Sequence, residues 1–317
     1  MSEPLVLPET AVVLEALAAM DGPHLGDLPP EAARAVYHQL GAAFEADADA
    51  SVRIADFVGD GVPMRAYFPG EPADGPVIVF FHGGGWVIGD LDTHHALCTR
   101  LAALTGLRVV AVDYRLAPEH PYPAAHDDCL AAARFVAAGP AVLEAPVAGI
   151  ALAGDSAGGA LALAVSARLE PAQRLAQLLI YPVGDCTEPE AGSYAEFAEG
   201  FLLDRKLMHR FITDYLPVAD DRRNVDVSPV LHDLHADLPP TIILTAGLDP
   251  LRDQGRALAA ALIRRGIECH YLEAAGLIHG MATMRRALPS GDALIARAGR
   301  LLCGVLRENN PVLAGEF

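Results

Sequence analysis

The sequence predicts an α/β fold: a mostly parallel central sheet of about eight strands, helices on both faces, and a helical cap. Three observations carry that prediction. From residue 76 onward, short apolar runs alternate with helical stretches, the rhythm of repeated βα units. The runs are nearly unbroken Val, Ile and Leu, as strands covered on both faces require. Of 317 residues, 52% are hydrophobic and 20% charged, enough apolar material for one large core.

The elements follow in order. Residues 1–46 read as two helices, 9–20 and 31–44, split by a Pro/Gly-rich loop. Residues 52–58 and 64–68 read as two strands joined by the turn GDGVP, an antiparallel start to the sheet. Buried strands are expected at 77–81, 109–112, 147–153, 177–181, 241–245 and 268–273. Helices are expected at 94–104, 124–137, 157–169 and 251–265. Residues 185–237 break the rhythm, with one helix at 204–215 amid irregular sequence in place of a direct crossover. Long insertions at the rim of a sheet commonly build binding elements. A cap made of 1–46 and 185–237 is therefore expected over a catalytic domain of 47–184 and 238–317. The plainer alternative for the first segment is a brace on the core.

Charge and cysteine content narrow the partners. The formal charge is 23 − 41 = −18, which argues against nucleic acid or an anionic membrane surface as partner, since both attract clustered Lys and Arg. The five cysteines (Cys98, Cys129, Cys186, Cys269, Cys303) are scattered, without CxxC spacing, and point to a reducing cytoplasm. The N-terminus lacks a secretory pattern. The most apolar stretch, 148–167, is interrupted by Asp155 and several glycines, so no membrane insertion is expected.

Two glycine motifs carry the chemistry. Gly154, Asp155, Ser156, Ala157 and Gly158 form GxSxG between a strand and a helix, the context of a nucleophile held in a strained turn. The helix that opens there presents free N–H groups beside Ser156, and Ala157 is a candidate oxyanion donor. His82, Gly83, Gly84, Gly85 and Trp86 follow the strand at 77–81, where glycines let backbone N–H groups approach a tetrahedral oxyanion. A phosphate cradle would need a Walker Lys-Ser/Thr or GxGxxG spacing, and neither is there. His82 is expected to be structural.

A serine nucleophile needs a base and an orienting acid. Of twelve histidines, His279 lies in a Gly-rich turn after the last strand, on the Ser156 side of the sheet. His270 falls within that strand and reads as sheet packing, while His94, His95, His120 and His126 lie near the early strands. His232 and His235, with Asp233 and Asp237, imitate a metal cluster but lack helical spacing. Asp249 follows the strand at 241–245 and gives the chain order Ser, Asp, His. Asp253, one turn onward, and Asp185, after the preceding strand, stay as alternatives.

With these residues assembled, the chain resembles the bacterial hormone-sensitive-lipase family of esterases (family IV), which have the α/β-hydrolase fold. The resemblance rests on HGGGW at 82–86, DYRLAPEHPYPAA at 113–125, GDSAGG at 154–159, GLDPLRD at 247–253 and HG at 279–280. These motifs span about residues 50–310 in the family's order. By position it implies Ser156 as nucleophile, His279 as base and acid, Asp249 as its partner, and Gly84, Gly85 and Ala157 as oxyanion donors. It also implies that 113–125 packs beneath the glycine turn. Gln254 and Met281 depart from the family's usual Glu and aromatic, which puts the pocket wall or its support in doubt.

The expected activity is hydrolysis of short- to medium-chain acyl esters through an acyl-enzyme, with no metal or organic cofactor. A small-molecule ester is the partner, and the family's pairing through a sheet edge makes a homodimer an expectation. Trp86, Phe201, Leu202 and Leu203 are candidate pocket walls. An amidase or lactone hydrolase with the same triad is the nearest rival. A non-catalytic receptor of the plant gibberellin type is a further one, although such receptors lose a triad member and this chain keeps candidates for all three.

Overall fold

The computed structural model describes residues 4–20 and 22–308. Two helices come first, α1 (Pro8–Ala18) and α2 (Pro30–Phe44), each opened by a proline where the missing N–H is not needed. Among the described residues one sheet forms. Its eight strands are β1 (Arg53–Gly59), β2 (Val62–Phe68), β3 (Gly75–Phe81), β4 (Arg108–Val112), β5 (Val147–Asp155), β6 (Arg174–Ile180), β7 (Thr241–Leu248) and β8 (Cys269–Ile278). The remaining helices are α3 (His95–Thr105), α4 (Ala124–Ala137), α5 (Ala157–Arg168), α6 (Ser193–Glu196), α7 (Arg205–Tyr215), α8 (Arg252–Arg264) and α9 (Pro289–Glu308).

The strand order is β1-β2-β4-β3-β5-β6-β7-β8. β2 pairs antiparallel with both β1 and β4, and every later pair is parallel. β3 shows why its sequence is apolar without a break. Val77, Val79 and Phe81 point into one core, shared with side chains of α4, α5 and α8, while Ile78 and Phe80 point into a second, shared with α3 and α9. Successive side chains leave a strand on opposite faces, so a strand covered twice must be apolar throughout.

Three expectations shift. β8 runs on to Ile278, so Gly276 to Ile278 are strand and His279 follows the strand directly. The irregularity is absorbed by a register shift against β7 between Ala246 and Leu248. His270 is not sheet packing: it is half-exposed and bonds Glu268 at 2.8 Å. The long helix α9 was not anticipated, although Ile295, Ala298, Leu302 and Val305 make a helical stripe and are all buried. Among the described residues no helix is long and apolar enough to cross a membrane.

Because β3, β5, β7 and β8 run parallel, their carboxyl ends share one rim of the sheet. The loops on that rim carry the glycine turn at 82–88, Ser156, Asp249 and His279, the usual place for a site in such sheets.

Candidate active site

β5 ends at Asp155 and α5 begins at Ala157, so the single residue between them must turn the chain sharply. Ser156 does so at φ 55° and ψ −119°, a region seldom occupied by L-residues. Its amide donates to the Ile180 carbonyl at 2.8 Å, and its carbonyl accepts from the Val183 amide at 3.2 Å. A methyl group at Gly158 would overlap the Phe81 carbonyl, which explains the glycine two places on.

His279 leaves the end of β8 and turns its ring toward that serine. Its Nε2 lies 2.9 Å from Ser156 Oγ and its Nδ1 lies 2.8 Å from Asp249 Oδ2. Asp249 is fully buried after β7, and its other oxygen accepts from the Leu251 amide at 2.8 Å. The carboxylate can only accept, so Nδ1 carries the proton and Nε2 is left to accept from the serine hydroxyl. The other candidate acids are elsewhere. Asp253 accepts from the Ser193 amide at 2.8 Å and pairs with Arg252 and Arg256. Asp185 is spent on Thr187, at 2.6 Å to its hydroxyl.

The glycine turn is built from behind. His82 stacks on Tyr114 with ring centres 4.2 Å apart, and the Tyr114 hydroxyl donates to the His82 carbonyl at 2.7 Å. Segment 113–125 therefore does pack under the turn. Burial pushes the His82 pKa down to about 4, so it stays neutral and holds the Gly83 carbonyl at 2.8 Å through Nδ1. Gly83 donates to Asp155 Oδ1 at 2.8 Å, and His94 Nε2 lies 3.1 Å from the same oxygen. Burial alone would raise the Asp155 pKa, but His94 and the Gly83 amide together hold it below the ordinary carboxylate value. The sequence sets His94 aside because it lies near the early strands, far along the chain from Asp155. Only the fold brings them together.

Gly84 and Gly85 have φ of 115° and 59° and line the cavity over Ser156. Among the described residues neither amide donates to a protein acceptor. Ala157, the first residue of α5 and next to Ser156, is fully buried. A methyl at Gly85 would overlap the Phe211 ring.

The cavity over Ser156 is small, about 60 Å³, and mostly apolar, with Val183, Leu203, Met208 and Phe211 in its wall. Leu25, Leu40, Leu202 and Leu207 line both it and a chamber of about 800 Å³ between α1, α2 and the 200–207 segment. Leu202 and Leu203 line the cavity as expected, but Trp86 and Phe201 do not. Trp86 is buried against Tyr215, and Phe201 faces the larger chamber. Tyr37, Met208 and Phe211, on helices without a motif, and Met284, in the turn after Thr283, were missed. Gln254 leaves the wall untouched: its side-chain oxygen accepts from the Gly184 and Asp185 amides at 2.8 and 3.0 Å. Met281 is fully buried in the core. His232 bonds the Arg223 carbonyl and Asp237 pairs with Arg174. Among the described residues no three His, Cys, Asp or Glu side chains gather as a metal site.

Residues 78–283 match a family of the α/β-hydrolase fold. The esterase LipI of Mycobacterium tuberculosis is 38% identical over 250 residues, 75% of this chain and 78% of that protein. The chain belongs to the hormone-sensitive-lipase-like carboxylesterases. Another member, the ethyl acetate hydrolase of Pseudomonas putida, is 34% identical over 80% of this chain and 81% of its own. Among solved structures, a thermostable esterase from Pseudomonas putida superposes with a TM-score of 0.89 at 32% identity, covering 96% of this chain and 99% of that one. An ester hydrolase from the Lake Arreo metagenome, complexed with a bipyridine phosphonate derivative, gives 0.87 at 38% identity, over 95% and 99%. Membership makes this esterase a serine hydrolase of carboxylic esters.

Proposed function

We propose that this esterase hydrolyses short- to medium-chain acyl esters with Ser156 as nucleophile, His279 as base and acid, and Asp249 as its orienting partner. The observation that supports it best is the continuous line from Ser156 Oγ through His279 to Asp249, at 2.9 and 2.8 Å. His279 Nε2 takes the Ser156 proton as Oγ attacks the ester carbonyl. Negative charge then develops on the carbonyl oxygen, toward the amides of Gly84, Gly85 and Ala157. One such donor is worth about 10²–10³ in turnover. His279 returns the proton to the leaving alcohol, and an acyl-Ser156 ester remains. Water, deprotonated by His279, attacks that ester; as the acyl–Oγ bond breaks His279 returns the proton to Ser156 Oγ and the acid is released. Asp249 stabilises the imidazolium in both halves.

The size of the cavity supports the chain-length preference, since about 60 Å³ over Ser156 suits a few carbons. A relative named for ethyl acetate points the same way. Residues 1–46 and 185–237 act as a cap in this scheme, because Tyr37, Leu203, Met208 and Phe211 all come from them. The five free cysteines, three of them buried, fit a reducing compartment.

Hydrolysis of p-nitrophenyl acetate, butyrate, octanoate and palmitate by wild type and by Ser156→Ala tests the proposal. Turnover of the short esters, absent from the variant, is expected, with palmitate slowest. Preference for palmitate would overturn the chain-length claim. Activity surviving in Ser156→Ala would overturn the nucleophile.

A further inference from the structure

The glycine turn meets the insertion helix α7 at two aromatic side chains: Phe211 lies over Gly85, and Tyr215 stacks on Trp86. Trp86 directly follows Gly85 and has φ 61°, unusual for a residue with a side chain. Its backbone is gripped from outside: the Ala117 amide donates to its carbonyl at 2.9 Å, and Arg34 Nε donates to the next carbonyl, Val87, at 2.9 Å. Its ring is 1% exposed, and among the described residues the buried indole N–H has no partner. Within the buried core, Tyr215 is stacked on the face of the ring at 4.1 Å and 8°.

Tyr215 ends α7, the helix that also brings Leu207, Met208 and Phe211 to the cavity. It is itself tightly fixed. Its hydroxyl is 2.6 Å from His126 Nε2 on α4, its carbonyl accepts from the Tyr122 amide at 2.9 Å, and the Tyr122 ring meets it edge-on. Burial pushes the His126 pKa down to about 3, so the ring is neutral and shares a single hydrogen with the Tyr215 hydroxyl.

We propose that Tyr215 is a positioning residue for the oxyanion turn, holding Gly84, Gly85 and Trp86 in their reactive shape through the face of the Trp86 ring. The insertion helix and the oxyanion turn then act as one unit, fastened to the core at His126. The inference rests on Gly84 and Gly85 being the oxyanion donors. Within the turn the Val87 and Ile88 amides donate to the Gly84 carbonyl at 3.1 and 2.9 Å, but Gly85 and Trp86 both stand at positive φ, so removing the stack lets the donors drift. A misplacement of about an ångström costs about 10² in rate.

The test is steady-state kinetics on p-nitrophenyl acetate with Tyr215→Leu and Tyr215→Phe. Tyr215→Leu is expected to lose about 10- to 100-fold in kcat, with KM moved less than about threefold, the signature of an interaction made in the transition state. Tyr215→Phe keeps the stack and should restore kcat to within about threefold. Trp86 is the one tryptophan of the chain, so its fluorescence reads the same contact. Acrylamide quenching should rise in Tyr215→Leu and not in Tyr215→Phe. Should Tyr215→Leu not fold, Trp86→Leu against Trp86→Phe makes the same comparison from the other ring. A folded Tyr215→Leu with wild-type kcat, or with its loss confined to KM, would overturn the inference. An inactive wild type or an active Ser156→Ala would instead overturn the site on which it rests.

Discussion

Asp249 shows what a single residue contributes to this site. Chain order favours Asp249, and Asp253 and Asp185 stay as alternatives in the sequence. Geometry decides, because Asp253 and Asp185 are both satisfied by other groups, while Asp249 faces His279 Nδ1 at 2.8 Å. If its role is to hold the imidazole in the tautomer that accepts from Ser156, an amide there should favour the wrong tautomer. Asp249→Asn is therefore expected to lower kcat by about 10⁴ with little change in melting temperature, read by esterase kinetics and thermal unfolding. A loss below about tenfold would mean that the carboxylate is not the orienting group. Ser156 and His279 were legible because GxSxG and the HG turn are contiguous in sequence. His94 and Tyr215 were not, because their meaning lies in contacts with Asp155 and Trp86, 61 and 129 positions away (155 − 94 and 215 − 86).

Between elements, buried histidines act as fasteners. His82 lies under the glycine turn, and His126 joins α4 to α7. Burial lowers their pKa values to about 4 and about 3 respectively. In the unfolded chain both protonate near pH ~6.5. Between that pH and about 4 the unfolded state binds more protons than the native state, so stability falls as the solution is acidified. Glu45 works in the opposite sense: burial raises its pKa more than the Arg285 guanidinium lowers it, so it takes up its proton more readily in the fold. His126→Gln keeps an acceptor for Tyr215 but cannot titrate. Its urea midpoint is expected to fall less than that of wild type between pH 7 and 5. Parallel pH dependence of the two proteins would contradict the buried, neutral assignment.

Across the whole molecule, pattern and topology agree where burial is simplest. Nearly unbroken apolar runs marked the inner parallel strands, because both faces of the sheet are covered there, whereas the edge strand β8 carries His270 and Glu273. Ends were misjudged where the chain bends locally, as at β8, whose glycine-containing last residues read as a turn. The cavity walls were largely illegible, since Tyr37, Met208 and Phe211 are ordinary helix-face residues until the two helical segments fold over the sheet. The site is thus contiguous motif on the sheet rim and non-local packing above it. The most direct test of the central claim is to treat the enzyme with diethyl p-nitrophenyl phosphate and map the adduct by peptide mass spectrometry. One diethylphosphoryl group on Ser156, formed in step with loss of esterase activity, is the predicted result. Inactivation with the group on another residue, or with Ser156 unmodified, would contradict it.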